Sequence, residues 1–169
     1  MKSYSPNFTV FNSFIIKVLK KKHPYEEVAY QLYDLENFFQ NVGSGIIGNL
    51  SNEILVSDFL NQLKQKMNTS CIRYTESKNN KNIYKVAVCG GSGSFLLQNA
   101  ISADADIFVS SDFKYHEFFD TEDKIVIADI GHYESEQFTK ELIFDMLKEN
   151  FPKFAVQLSK INTNPIKYI

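Results

Sequence analysis

The run Asp129-Ile130-Gly131-His132-Tyr133-Glu134-Ser135-Glu136 holds the residue types with the greatest chemical capacity in this chain. A hydrophobic stretch, residues 125–130, ends at a glycine, and a histidine follows at once. If a helix starts near His132, then His132 and Glu136 fall one turn apart on the same face. An imidazole and a carboxylate so placed aim lone pairs at a common point, which suits one divalent metal ion. Glu134 points elsewhere. The alternative is a solvated His–Glu pair, or a contact that caps the helix. Position favours the metal reading, because ligands of α/β proteins gather at the carboxyl ends of strands, where this pair sits. Two donors do not complete a coordination sphere, so the chain must find more or receive them.

Two further segments have the same placement. In Val86-Ala87-Val88-Cys89-Gly90-Gly91-Ser92-Gly93-Ser94 a strand runs into a glycine-rich turn and then a helix. Such a turn exposes backbone N–H groups where a helix opens, which suits a phosphate or carboxylate at Gly91, Ser92 and Gly93. It matches neither the dinucleotide fingerprint nor the P-loop. The other reading is a tight turn in which glycine allows neighbours to approach closely. Ser110-Ser111-Asp112-Phe113-Lys114-Tyr115-His116 follows the next strand and adds an acid, a cation and an imidazole. Asp112 could equally cap the helix after it, and His116 could be an ordinary surface histidine. Polar residues at three successive strand ends converge on one edge, as a site requires.

The elements that must position these groups follow from periodicity. Residues 8–22 predict an amphipathic helix, with Phe11, Phe14, Ile15, Val18 and Leu19 on one face, stopped by His23-Pro24. Residues 27–33 alternate and predict a strand. A loop is expected over 34–44, and glycines bracket a short apolar piece, Ile46-Ile47. A helix is expected over 57–67 and a short strand over 71–74. Strands over 83–89, 106–110, 124–130 and 154–158 then alternate with helices over 94–102, 113–120 and 134–150. This pattern implies an α/β layer, a mostly parallel sheet with flanking helices.

The chain has 169 residues, 44% hydrophobic and 22% charged, which suits a packed domain rather than disorder. A formal net charge of −2 gives no basic footprint for nucleic acid. The cysteines, Cys71 and Cys89, lie in apolar stretches and read as buried free thiols in a reducing cytoplasm. No apolar run is long enough for a membrane span and no signal core follows Met1, so a soluble intracellular protein is expected.

Taken together, the segments resemble the C-terminal half of the Nif-three-like family, also labelled GTP cyclohydrolase 1 type 2 homologues. The matching stretches are His23-Pro24-Tyr25-Glu26-Glu27-Val28-Ala29-Tyr30, the glycine turn, Asp112-Phe113-Lys114-Tyr115-His116-Glu117, Gly131-His132-Tyr133-Glu134-Ser135-Glu136 and Asn162-Thr163-Asn164-Pro165. The resemblance implies a two-metal site with His132 and Glu136 as its C-terminal ligands. It also implies that a histidine pair and an aspartate come from an N-terminal half absent here; the three histidines present, His23, His116 and His132, include no adjacent pair. Residues 1–36 resemble the tail, last helix and strand, of a ferredoxin-like (PII and CutA type) inserted domain, and residues 37–169 the C-terminal α/β lobe. Implied too are a homohexamer, divalent metal cofactors (zinc, iron or manganese), and a nucleotide or other anionic ligand. The activity would be that of a metal-dependent hydrolase, with His116 in an acid/base or supporting role. The alternative is a non-catalytic metal-binding assembly or regulatory protein.

Overall fold

A computed structural model describes residues 6–31, 43–76 and 82–169. The chain divides into two units, residues 1–40 and 41–169. In the first, helix α1 spans Pro6–Lys22 and carries Lys20, Lys21 and Lys22 in its last turn, where cations oppose the negative end of the helix dipole. Pro24 ends it as expected, and the Tyr25 N–H donates to His23 Nδ1 at 3.2 Å. Lys20 Nζ lies 4.8 Å from the centre of the Tyr30 ring. The strand expected over 27–33 does not form within 27–31, and Leu32 and Tyr33 fall outside the described residues. Alternation alone does not make a strand; its N–H and C=O groups need a neighbouring ladder.

The second unit is a five-stranded sheet in the order β1-β3-β4-β5-β2. Its strands are β1 (Ile46–Ile54), β2 (Arg73–Tyr74), β3 (Ile83–Ser92), β4 (Ile107–Ser111) and β5 (Val126–Asp129). The central strands β3, β4 and β5 are mutually parallel, while β1 and β2 add antiparallel edges. Strands β4 and β5 are buried at every position, so each opens with a three-residue apolar run rather than an alternation and keeps its polar residues, Ser110, Ser111 and Asp129, for its carboxyl end. One face packs Ala87, Cys89, Leu97, Ala100, Phe108, Phe113 and Ile127 together; the other packs Phe59, Ile83, Ile107, Val109, Val126, Ala128 and Ile130. Helix α2 (Val56–Lys66) contributes Phe59, and α3 (Leu97–Ser102) contributes Leu97 and Ala100, after a 3-10 turn at Ser94–Leu96.

Several expectations change. Strand β1 forms where only a short apolar piece, Ile46-Ile47, was expected: its glycine and polar residues hide it in the sequence, yet it pairs with β3 at Ile46↔Val88 through Asn49↔Lys85 and, after a register shift, at Ile54↔Ile83. The helix expected over 134–150 is two helices, α4 (His132–Glu136) and α5 (Thr139–Asn150), with Gln137 and Phe138 between them. The stretch after β4 is a 3-10 helix, Tyr115–Thr121. Residues 154–158 form no strand; they pair with no strand of the sheet and run irregularly and mostly exposed. Cys71 is exposed rather than buried, whereas Cys89 is buried. Among the described residues no helix is long and apolar enough to cross a membrane.

Phe108 is 1% exposed and meets Phe113 edge-on at 6.0 Å between ring centres. Phe108→Ala should therefore destabilise the fold by about 3–5 kcal/mol, measurable as a lowered urea midpoint.

Candidate functional site

The site is built at the carboxyl ends of β3, β4 and β5. Gly131 leaves β5 with φ +90°, a conformation that favours glycine, and α4 starts at the next residue. One turn of helix then sets His132 Nε2 3.4 Å from Glu136 Oε2, with both side chains about half exposed. The spacing expected from the sequence is therefore realised, and the two groups face one point in space.

Asp112 comes from the end of β4. Its Oδ2 lies 2.5 Å from His132 Nδ1, on the ring nitrogen that Glu136 does not face. Asp112 takes φ +60°, unusual for any residue but glycine. Sequence reasoning placed Asp112 at this converging edge, with a helix cap as the alternative, but did not pair it with His132. The usable signal was register: Ser110 pairs with Asp129 across adjacent parallel strands, so residues two or three beyond each meet. The Asp112 hydrogen bond, opposed by partial burial and aided by the charges of Asp112 and Glu136, raises the His132 pKa above its ordinary 6.5.

The glycine turn lies against this pair. A Cβ placed on Gly91 would sit 2.5 Å from Glu136 Oε1 and 3.4 Å from His132 Cε1, and Gly91 has φ +63°. Its N–H donates to Ser135 Oγ at 2.8 Å, and Ser135 Oγ donates to the His132 carbonyl at 2.8 Å. Its carbonyl accepts from Ser110 at 3.2 Å and from Ser111 at 2.5 Å. Gly93 is equally constrained, since a Cβ there would strike Ser110 Oγ and Cys89. Ser92, between them, is exposed. Close approach is thus the demand that the structure makes on Gly91 and Gly93. Cys89 lies beneath the turn; burial first, then the nearby Glu136 charge, pushes its thiol pKa up.

Glu134 is indeed turned away from its neighbours on α4. It is buried, beside Gly131, and accepts from Asn164 Nδ2 at 3.2 Å. That bond fixes the C-terminal segment as one wall of a cleft of about 550 Å³, which His132, Tyr133, Glu136, Lys140, Thr163 and Asn164 help to line. Asn162 and Asn164 shape the wall by accepting from the N–H groups two residues on, at 2.8 and 3.0 Å.

His116 is exposed on the 3-10 helix and forms no hydrogen bond or ion pair with His132, Asp112 or Glu136. That helix is tied to the glycine turn through Glu117, which accepts from Ser94 Oγ at 3.2 Å and from the Lys114 N–H at 2.8 Å. Among the described residues no three His, Cys, Asp or Glu side chains converge as a metal cage. Asp112 does not become a third donor beside Glu136, because it occupies the opposite ring nitrogen. The donor chemistry of His132 and Glu136 suits a divalent ion but fills only part of its coordination.

A mixed α/β layer with an Asp–His–Glu cluster at its strand ends is the class these features define. The chain belongs to the Duf34/NIF3 (NGG1p interacting factor 3) family, whose profile matches residues 5–165. It is 31% identical over 158 residues to the GTP cyclohydrolase 1 type 2 homolog of Staphylococcus aureus (strain MSSA476), covering 90% of this chain and 42% of that protein. The Staphylococcus epidermidis homolog is 33% identical over 157 residues, again 90% and 42% of the two chains. Among solved structures, Staphylococcus aureus protein SA1388 matches with TM-score 0.68 and 27% identity, over 95% of this chain and 53% of the other. A Bacillus cereus protein related to NIF3 matches with TM-score 0.66 and 28% identity, over 95% and 45%. The chain thus spans less than half the length of the curated relatives it matches.

Titration of His132 followed by NMR should give a midpoint above 6.5, and Asp112→Asn should bring it down. The sign for stability follows: the Asp112–His132 contribution is present below about 6.5 and is lost as pH rises through the raised folded-state value. Gly91→Val should cost about 1–3 kcal/mol in backbone strain. It should also push the Glu136 carboxylate aside, read as an altered Glu136 side-chain NMR signal.

Proposed function

We propose that this chain is the C-terminal, metal-binding lobe of a metal-dependent hydrolase of the GTP cyclohydrolase 1 type 2 kind. The observation that carries the reading is the convergence of His132 Nε2 and Glu136 Oε2, 3.4 Å apart, at the strand ends beside the cleft. The names of the curated relatives support the reaction class and the purine nucleotide substrate. On this reading His132 and Glu136 are two ligands of a two-metal centre, and the remaining donors come from a region like the one by which those relatives exceed this chain. Zinc, iron or manganese bound there would supply Lewis-acid polarisation of an electrophilic substrate centre.

The chain's own residues have separate tasks. The missing Cβ at Gly91 leaves room for the Glu136 carboxylate to turn toward the ion. Lys140, on the cleft wall, attracts an anionic ligand; the turn at Gly91, Ser92 and Gly93, which is not part of that lining, is the expected second anion contact. His116, exposed nearby in sequence to Asp112, acts as the acid/base group or a support for one. Residues 1–36 are the tail of the PII-like insert, and the assembled protein is a cytoplasmic homohexamer. The presence of only two converging donors among the described residues also favours a second reading, a metal-binding assembly or regulatory protein without turnover.

Tight zinc sites have three or four protein ligands, so this chain alone should bind zinc weakly. Calorimetry should show that His132→Ala and Glu136→Gln each remove most of that binding. Undiminished binding in both variants would overturn the metal reading. Metal-dependent release of product from GTP would favour the hydrolase, while metal binding with no turnover in the protein that holds the full donor set would favour the second reading.

A further inference from the structure

We infer that Asp112 is a positioning residue that holds His132 in the tautomer protonated at Nδ1, so that the Nε2 lone pair is presented on the side of Glu136. The inference deepens the metal reading and rests on it. A neutral imidazole has one N–H and one lone pair, and which nitrogen carries which is decided by the partners of each. Here Nδ1 faces the Asp112 carboxylate at 2.5 Å, a group with lone pairs to accept an N–H, and Nε2 faces Glu136 at 3.4 Å. Both nitrogens face a carboxylate, but the contact at Nδ1 is much the shorter, so the single N–H of a neutral ring is needed there; the Nε2 lone pair then meets Glu136 across the longer 3.4 Å gap, which a bound cation would bridge.

The backbone around Asp112 is arranged to aim this one side chain. Its φ of +60° is costly for a residue with a Cβ, and such strain persists only where the surroundings enforce it. Both neighbours are held: Ser111 Oγ donates to the Gly91 carbonyl, and the Phe113 N–H donates to the buried Asp129 carboxylate at 3.1 Å. The capping role open to Asp112 in the sequence is not realised. Glu117 takes the Lys114 N–H at the start of the 3-10 helix, and the hydrogen bond that Asp112 makes among the described residues is to His132. A carboxylate behind a ligating histidine fixes its orientation and basicity, and losing such a partner commonly lowers metal affinity about 10–100-fold.

Long-range proton–nitrogen correlation spectra of the ¹⁵N-labelled chain, with His132 neutral and no metal present, read the tautomer directly. The wild-type ring should be protonated at Nδ1. Asp112→Ala should shift it toward the Nε2-protonated form, and Asp112→Asn, which tolerates the same backbone and keeps an acceptor, should retain part of the preference. Zinc titrations on the same signals should weaken about 10–100-fold in Asp112→Ala and less in Asp112→Asn. An unchanged tautomer in Asp112→Ala, with only a lowered unfolding midpoint, would overturn the inference and leave a structural role. Loss of zinc binding in His132→Ala but not in Asp112→Ala would overturn the role of Asp112 alone. Wild-type zinc affinity in His132→Ala would overturn the metal reading and the positioning role together.

Discussion

One buried carboxylate holds the site's elements in register. Asp129 ends β5 and is 3% exposed. It pairs with the Arg73 guanidinium on β2, accepts the Phe113 N–H from the exit of β4 at 3.1 Å, and accepts the Gly131 N–H at 3.1 Å. A charge so deeply buried is tolerable only when paired and hydrogen-bonded, and here its partners belong to three different segments. The Phe113 contact fixes the loop that carries Asp112, and the Gly131 contact fixes the turn that releases His132. Arg73 also donates to the Phe113 carbonyl at 3.1 Å, so the short edge strand β2 closes the arrangement. The distance between Asp112 and His132 thus depends on a residue that touches neither side chain.

Helix α4 shows how little secondary structure such a site needs. Its five residues divide among three directions: His132, Tyr133 and Glu136 toward the cleft, Ser135 toward the glycine turn, Glu134 toward the C-terminal segment. A helix this short has negligible stability by itself, so its form depends on these tertiary ties. Gly91, Gly93 and Gly131 permit them, because the ties bring side-chain oxygens into volumes that a Cβ would fill.

The parallel centre of the sheet was legible because β4 and β5 open with short apolar runs and alternate with helical patterns, while β3 keeps a partly alternating burial, and the His132–Glu136 spacing was legible because helical geometry is local. Strand β1 was not, since IIGNLSNEI derives its structure from the neighbouring β3 rather than from its own alternation. The break between α4 and α5 was hidden for a related reason: Gln137 and Phe138 have ordinary helical propensity, and what distinguishes Gln137 is a distant hydrogen bond to the Met67 carbonyl at 2.7 Å. Asp112 and Asn164 gain their meaning from contacts 20 and 30 residues away, which a local pattern does not contain.

The bond between Asn164 and Glu134 has a mechanical consequence. It closes a loop containing the whole of α5, which is pinned near its start by Gln137 on Met67 and beyond its end by Asn164 on Glu134. Helix α5 carries an apolar row, Leu142, Ile143, Met146 and Leu147, on its exposed surface. Only the first tie adjoins the helix; its other end leads to Asn164 through an irregular, mostly exposed stretch, residues 151–163. Since Asn164 also lines the cleft, the width of the cleft mouth depends on this one bond to a buried carboxylate rather than on the helix between.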